Sequence, residues 1–81
     1  MKIAYAERVL DALEYAPAAV RNALFKQLGF LAGNLHHPSL HAKKYDESRD
    51  LWQARINRDW CFYFTIEGNT YRIQSITPHP K

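Results

Sequence analysis

Residues 51–77 read LWQARINRDWCFYFTIEGNTYRIQSIT. The stretch breaks at two points of turn chemistry. From Leu51 to Asn57, Trp52, Ala54 and Ile56 share one face, and Gln53 and Arg55 the other. That is the period-two pattern of a half-buried strand. Asn57-Arg58-Asp59 reads as a turn. Trp60–Ile66, WCFYFTI, is apolar on both faces, as expected of a central strand covered on each side. Glu67-Gly68-Asn69 signals a hairpin. Tyr71–Ile76 then sets Tyr71 and Ile73 against Arg72 and Gln74 in a last strand. Three strands with short links form an antiparallel meander.

Upstream the period changes. In MKIAY, Ile3 and Tyr5 alternate with Lys2 and Ala4, a candidate short first strand. Residues 6–15 read as a helix, with Val9, Leu10 and Leu13 as an apolar stripe and Glu7, Arg8, Asp11 and Glu14 facing water. Pro17 stops this helix and can open the next at its first turn. There Val20, Leu24, Leu28 and Leu31 repeat on one face, and Phe25 and Leu35 widen it. Gly33-Asn34 closes it, since both residues tolerate a left-handed C-terminal cap. The short joint predicts an antiparallel helix pair. The expected fold is therefore α+β: a short N-terminal strand, two antiparallel helices and the three-stranded meander, four strands in all.

The chain has 81 residues, the size of a single domain, and 11 aromatic residues give it material for a core. Its one cysteine, Cys61, excludes an internal disulfide and is compatible with a reducing cytoplasm. No apolar run approaches the ~20 residues of a membrane span. Glu7, Asp11 and Glu14 are unlike a signal peptide. The formal charge of +3 favours an anionic partner. Six Lys/Arg lie between Lys43 and Arg72, among the aromatic residues.

Between the halves lies HHPSLHAKKY, residues 36–45. The spacing of His36, His37 and His41 matches no familiar ligand pattern, and Cys61 is poorly placed in a strand, so neither metal nor cofactor is expected. The stretch reads either as a solvated connector or as a phosphate-contacting loop led by Lys43 and Lys44. Arg55 sits on the polar face of its strand, where its fork can bind phosphate. Its alternative is a surface ion pair to Asp59 or Glu67, worth under ~1 kcal/mol. Arg72 and Gln74 are expected to share that face. His79, held between Pro78 and Pro80, suits a general acid or base, because histidine titrates near neutral pH. One aromatic row of the central strand can stack bases, and alternation leaves open which row. No glycine-rich phosphate loop, nucleophile elbow or zinc pattern is present.

HPSLHAKKY, then LWQARINRDWCFYF, the EGN hairpin and the closing ITPHPK together resemble the RelE/ParE superfamily of bacterial toxins from type II toxin–antitoxin systems. The resemblance spans nearly the whole chain and is most specific from Pro38 to Lys81. It implies a RelE-like fold and, for the RelE-like branch, a cytoplasmic, metal-independent endoribonuclease. Such an enzyme cuts mRNA on the ribosome, by attack of a 2′-hydroxyl on the adjacent phosphate. It also implies a cognate antitoxin as partner and no membrane. Carried over by position, the family's catalytic residues fall at Lys43, Lys44, Arg55 and His79. His37, His41, Arg58, Asp59 and Arg72 are secondary RNA-binding candidates. The chain departs from the family pattern at Trp60, where many members have an arginine. It also has no tyrosine after His79. The ParE branch, which poisons DNA gyrase without ribonuclease residues, and a catalytically inactive RelE-like binding module are the alternatives.

Overall fold

The structure is a computed structural model that describes residues 1–78. The elements run β1 (Lys2–Tyr5), α1 (Glu7–Tyr15), α2 (Ala18–Gly33), a 3-10 turn (Pro38–Leu40), β2 (Lys43–Asp46), β3 (Leu51–Arg55), β4 (Trp60–Glu67) and β5 (Thr70–Pro78). The strands form one sheet in the order β1-β5-β4-β3-β2. The expected α+β arrangement holds, with two corrections. The sheet has five strands rather than four, because KKYD forms β2. It is mixed rather than antiparallel, because β1 runs parallel to β5, Ile3 opposite Tyr71 and Tyr5 opposite Ile73. β2 lacks apolar alternation because it is an edge strand, and edge strands carry charge that blocks further pairing.

Both helices pack on one face of the sheet. Val9, Leu13, Val20, Leu24, Leu28 and Leu31 join Ala54, Phe62, Phe64, Tyr71, Ile73 and Ile76 in a single core. Leu10 and Phe25, expected in the apolar stripes, are about half exposed, at 54% and 52%. Each follows a buried neighbour, Val9 or Leu24, and one residue turns a helix by ~100°, out of the contact. The joint between the helices is fastened by Arg21. Its guanidinium donates to Ala16 O (2.6 Å) and Leu13 O (3.2 Å), carbonyls that α1 leaves without helical partners. A cation there also opposes the negative end of the α1 dipole, an effect of about 1 kcal/mol. The left-handed cap expected at Gly33-Asn34 does not form. Asn34 is extended (φ −160°) and donates its N–H to Phe30 O. Its side chain instead accepts from His36 N, starting the next turn.

The β5 register explains how its apolar residues all reach the core. Strict alternation from Tyr71 and Ile73 would turn Ile76 outward. The pairing instead shifts between Tyr63–Ser75 and Phe64–Ile73, so Gln74 is an extra residue. This bulge moves Ile76 to the core side, where it is 7% exposed. A second irregularity, at Tyr45, interrupts β2 between Lys44 and Asp46. β4 is central, as expected, but helices cover only one of its faces. Phe62 and Phe64 point to them, while Cys61, Tyr63 and Thr65 point to the open, polar side.

Candidate functional site

The open face is built by register. Lys43 stands opposite Gln53, Arg55 opposite Cys61, and Cys61 opposite Thr77. Gln53 and Arg55 are two residues apart on one face of β3, about 7 Å along the strand. A cleft of about 370 Å³ opens here, lined by His41, Lys43, Gln53, Arg55 and Cys61 among others, none of them a carboxylate. Lys43 and Arg55 form no ion pair among the described residues. Two cations without ion-pair partners among the described residues thus share an acid-free concavity, a setting that favours an anion. His41 reaches it from a left-handed backbone (φ 48°), where the chain turns from the 3-10 turn into β2. Non-glycine residues at positive φ carry strain and gather at functional sites.

Other candidates lie elsewhere. Lys44 points to the opposite face from Lys43. Its ammonium binds Asp50 and lies 5.0 Å from the centroid of the Trp52 ring. The hydrogen bond to Asp50 raises its pKa, so this lysine is held as a cation away from the cleft. His37 stacks flat on Phe30, with ring centroids 3.9 Å apart, and its Nδ1 accepts from Ser39 N at the start of the 3-10 turn. Arg72 is paired with Glu67 (3.0 Å), which takes one of the two partners weighed for Arg55. The other, Asp59, does not bridge to Arg55. Arg58 and Asp59 lie in the β3–β4 turn, which Asn57 closes by accepting from Asp59 N and Trp60 N. Arg58 shares a shallower groove with Lys26 and Arg55, so Arg55 stands between two concavities. Trp60 packs against the core, and the residue β4 presents to the cleft is Cys61. His79 lies outside the described residues. Among the described residues, no three His, Cys, Asp or Glu side chains gather as metal ligands, and no helix is long and apolar enough to cross a membrane.

Several contributors escaped the sequence reading. Gln27, 6% exposed, bridges the two sides of the site. Its Nε2 donates to Ser39 O (2.9 Å) and Arg55 O (2.8 Å), and its Oε1 accepts from Ser39 Oγ (3.1 Å). The available signal was its place on the α2 stripe, three residues after Leu24. A polar residue there needs partners. Gln53 donates to the Tyr63 hydroxyl (3.0 Å). Burial pushes the Tyr63 hydroxyl above its ordinary pKa, so it stays a neutral donor and acceptor.

The turn from β2 to β3 depends on Asp46. Its carboxylate accepts from Ser48 Oγ (2.7 Å), Ser48 N and Arg49 Nε (2.7 Å). The Ser48 hydroxyl, followed by Arg49, lowers its pKa from 3.8 to about 2. A depressed carboxyl stabilises the fold fully above its unfolded value, and this is lost as pH falls through the folded value. The turn should therefore loosen between pH 4 and pH 2. The protection of the Ser48 amide, measured against the unstructured exchange rate at each pH, is expected to fall over that window, and Asp46→Asn should remove the dependence.

No family model matches the chain, and no curated protein matches it. Solved structures do. A YoeB/ParE toxin from Agrobacterium tumefaciens superposes with a TM-score of 0.82 at 13% identity, over 99% of this chain and 100% of that one. The RelE of an archaeal RelE–RelB complex from Pyrococcus horikoshii gives 0.79 at 17% identity, over 95% and 92%. YafQ from Escherichia coli gives 0.78 at 17% identity, over 96% and 92%. The fold is that of the RelE/ParE toxins.

Proposed function

We propose that this chain, built on the RelE/ParE toxin fold, is the toxin of a type II toxin–antitoxin system and acts as a metal-independent endoribonuclease on ribosome-bound mRNA. The observation that carries the reading is the acid-free cleft in which Lys43, Arg55 and His41 converge on the open sheet face. The reaction needs those functions. A base removes the proton from a 2′-hydroxyl, whose oxygen attacks the adjacent phosphorus. The bond to the 5′-oxygen breaks, and an acid protonates that leaving oxygen. The products are a 2′,3′-cyclic phosphate and a free 5′-hydroxyl. Arg55 and Lys43 bind the phosphate and offset the charge that grows on its oxygens in the transition state. His41 and His79 are the proton carriers, because imidazole exchanges protons near neutral pH. His79 follows Pro78, whose neighbour Thr77 pairs with Cys61 of the cleft.

The partner is a cognate antitoxin that covers the cationic face, in keeping with the antitoxin complexes among the similar solved structures. The test is primer extension on mRNA in translating ribosomes, with purified wild type, Lys43→Ala and Lys44→Ala. Wild type is expected to cut. A charge-assisted hydrogen bond to phosphate contributes about 1.5–3 kcal/mol, so Lys43→Ala should slow cutting roughly 10- to 100-fold. Lys44→Ala should stay within about threefold, because Lys44 faces away. Uncut mRNA with wild type would overturn the nuclease reading. Intact mRNA with inhibited DNA supercoiling would select gyrase poisoning instead.

A further inference from the structure

Beside the phosphate cleft, the open face holds a second concavity of about 430 Å³, reached by Arg8, Tyr45, Arg49, Tyr63 and Gln74 among others. We infer that it is a nucleobase subsite, seating the base of a nucleotide that neighbours the one whose phosphate lies between Lys43 and Arg55. The inference rests on the endoribonuclease reading and extends it to how the strand is held.

Four observations support it. Both irregularities of the sheet deliver their extra residue here, Tyr45 from β2 and Gln74 from β5. Bulges re-aim side chains beside functional sites. Tyr45 is 56% exposed, and its ring meets Tyr63 in a T-shaped contact with centroids 4.9 Å apart, which leaves aromatic surface open to a stacking base. Gln74 donates its amide N–H to Thr65 Oγ1 (3.0 Å), while its carbonyl oxygen has no partner among the described residues and can accept from a base. Finally, the two clefts share a wall through the Gln53–Tyr63 hydrogen bond.

The chemistry divides between them. The first cleft has two cations and no Phe, Tyr or Trp ring, as suits a phosphate. The second has aromatic rings, an amide and hydroxyls inside and guanidinium groups from Arg8 and Arg49, as a base flanked by phosphates requires. Arg8 has no ion-pair partner among the described residues, and Arg49 is paired with Asp46. An acidic peptide would use the cations but has no need of the Tyr45 face.

The test uses uncleavable 2′-O-methyl tetranucleotides, intact or abasic at each position in turn, with binding followed by fluorescence anisotropy. Wild type should bind the intact strand about tenfold more tightly than one of the abasic strands, within the range of base–aromatic stacking. Tyr45→Ala should bind the intact strand about tenfold more weakly and be indifferent to that abasic position. Its melting profile should match wild type, since Tyr45 is exposed. Arg55→Ala should weaken every strand alike. Binding that depends on Arg55 but not on Tyr45 overturns the subsite alone. So does Tyr45→Ala weakening intact and abasic strands equally. A wild type that binds no oligonucleotide, or binds only an acidic peptide, overturns the subsite, and primer extension on translating ribosomes decides the nuclease reading separately.

Discussion

Arg55→Ala is expected to reduce single-turnover RNA cleavage about 10²- to 10³-fold, the usual cost of removing one preorganised group that meets transition-state charge. The same substitution should move stability by no more than about 0.5 kcal/mol. The two effects separate because Arg55 contributes to the fold and to the site through different atoms. Its side chain is exposed and makes no ion pair among the described residues. Its carbonyl, which any residue supplies, takes the Gln27 hydrogen bond. Arg55→Lys should fall between wild type and alanine, because an ammonium keeps the charge but loses the bidentate fork. Cleavage by Arg55→Ala within threefold of wild type, with RNA bound normally, would remove Arg55 from the reacting phosphate.

That separation could not be read from the chain alone, and the reason is physical. The meander was legible because each strand announces itself locally. Alternation marks β3, and Gly68 supplies the positive φ (61°) of the β4–β5 hairpin. The stripe Val20, Leu24, Leu28 and Leu31 marked α2 in the same way. β2 was not legible because the residue it pairs against Trp52 is Lys44, whose ammonium lies over the Trp52 ring and binds Asp50. A lysine in that role looks like a loop residue. The parallel partner of β1 lies almost seventy positions away, and no local pattern records it. Ile76 appeared to face the wrong way until the bulge at Gln74 corrected its parity.

Within the site, residue type announced Arg55 and Lys43, but only register assigns sides. Adjacent lysines on a strand reach opposite faces, and the Lys43–Gln53 pairing determines which one enters the cleft. His37 shows the converse. It was a secondary RNA-binding candidate by residue type, and the structure stacks its ring on Phe30 and has its Nδ1 accept from Ser39 N. Gln27 was overlooked because an isolated glutamine carries no chemistry of its own. Its importance arises from what it joins.

Gln27→Leu is therefore the most informative substitution for stability. Leucine is close in size and should bury well, a gain of about 1–2 kcal/mol on transfer grounds alone. Against that, Ser39 O and Arg55 O lose their donor, and Ser39 Oγ loses its acceptor. Each orphaned group costs about 1–3 kcal/mol when water cannot replace the partner. These groups are only partly buried, which lowers the cost but leaves it larger than the gain. The net loss should be about 2–4 kcal/mol, a large share of the 5–15 kcal/mol typical of a domain. For a chain this short, that corresponds to a fall in Tm of roughly 10–25 °C. Ser39→Ala alone should cost about 1 kcal/mol, and the double substitution should cost less than the sum, since both remove the same bond. Gln27 also holds the 3-10 turn, which leads to His41 and Lys43, against the end of β3 that carries Arg55. Gln27→Leu should thus weaken phosphate binding at temperatures where the variant is still folded, although Gln27 does not line the Lys43–Arg55 cleft. A Tm equal to or above that of wild type would show that water satisfies the freed carbonyls and that α2 does not set the spacing of the two cations.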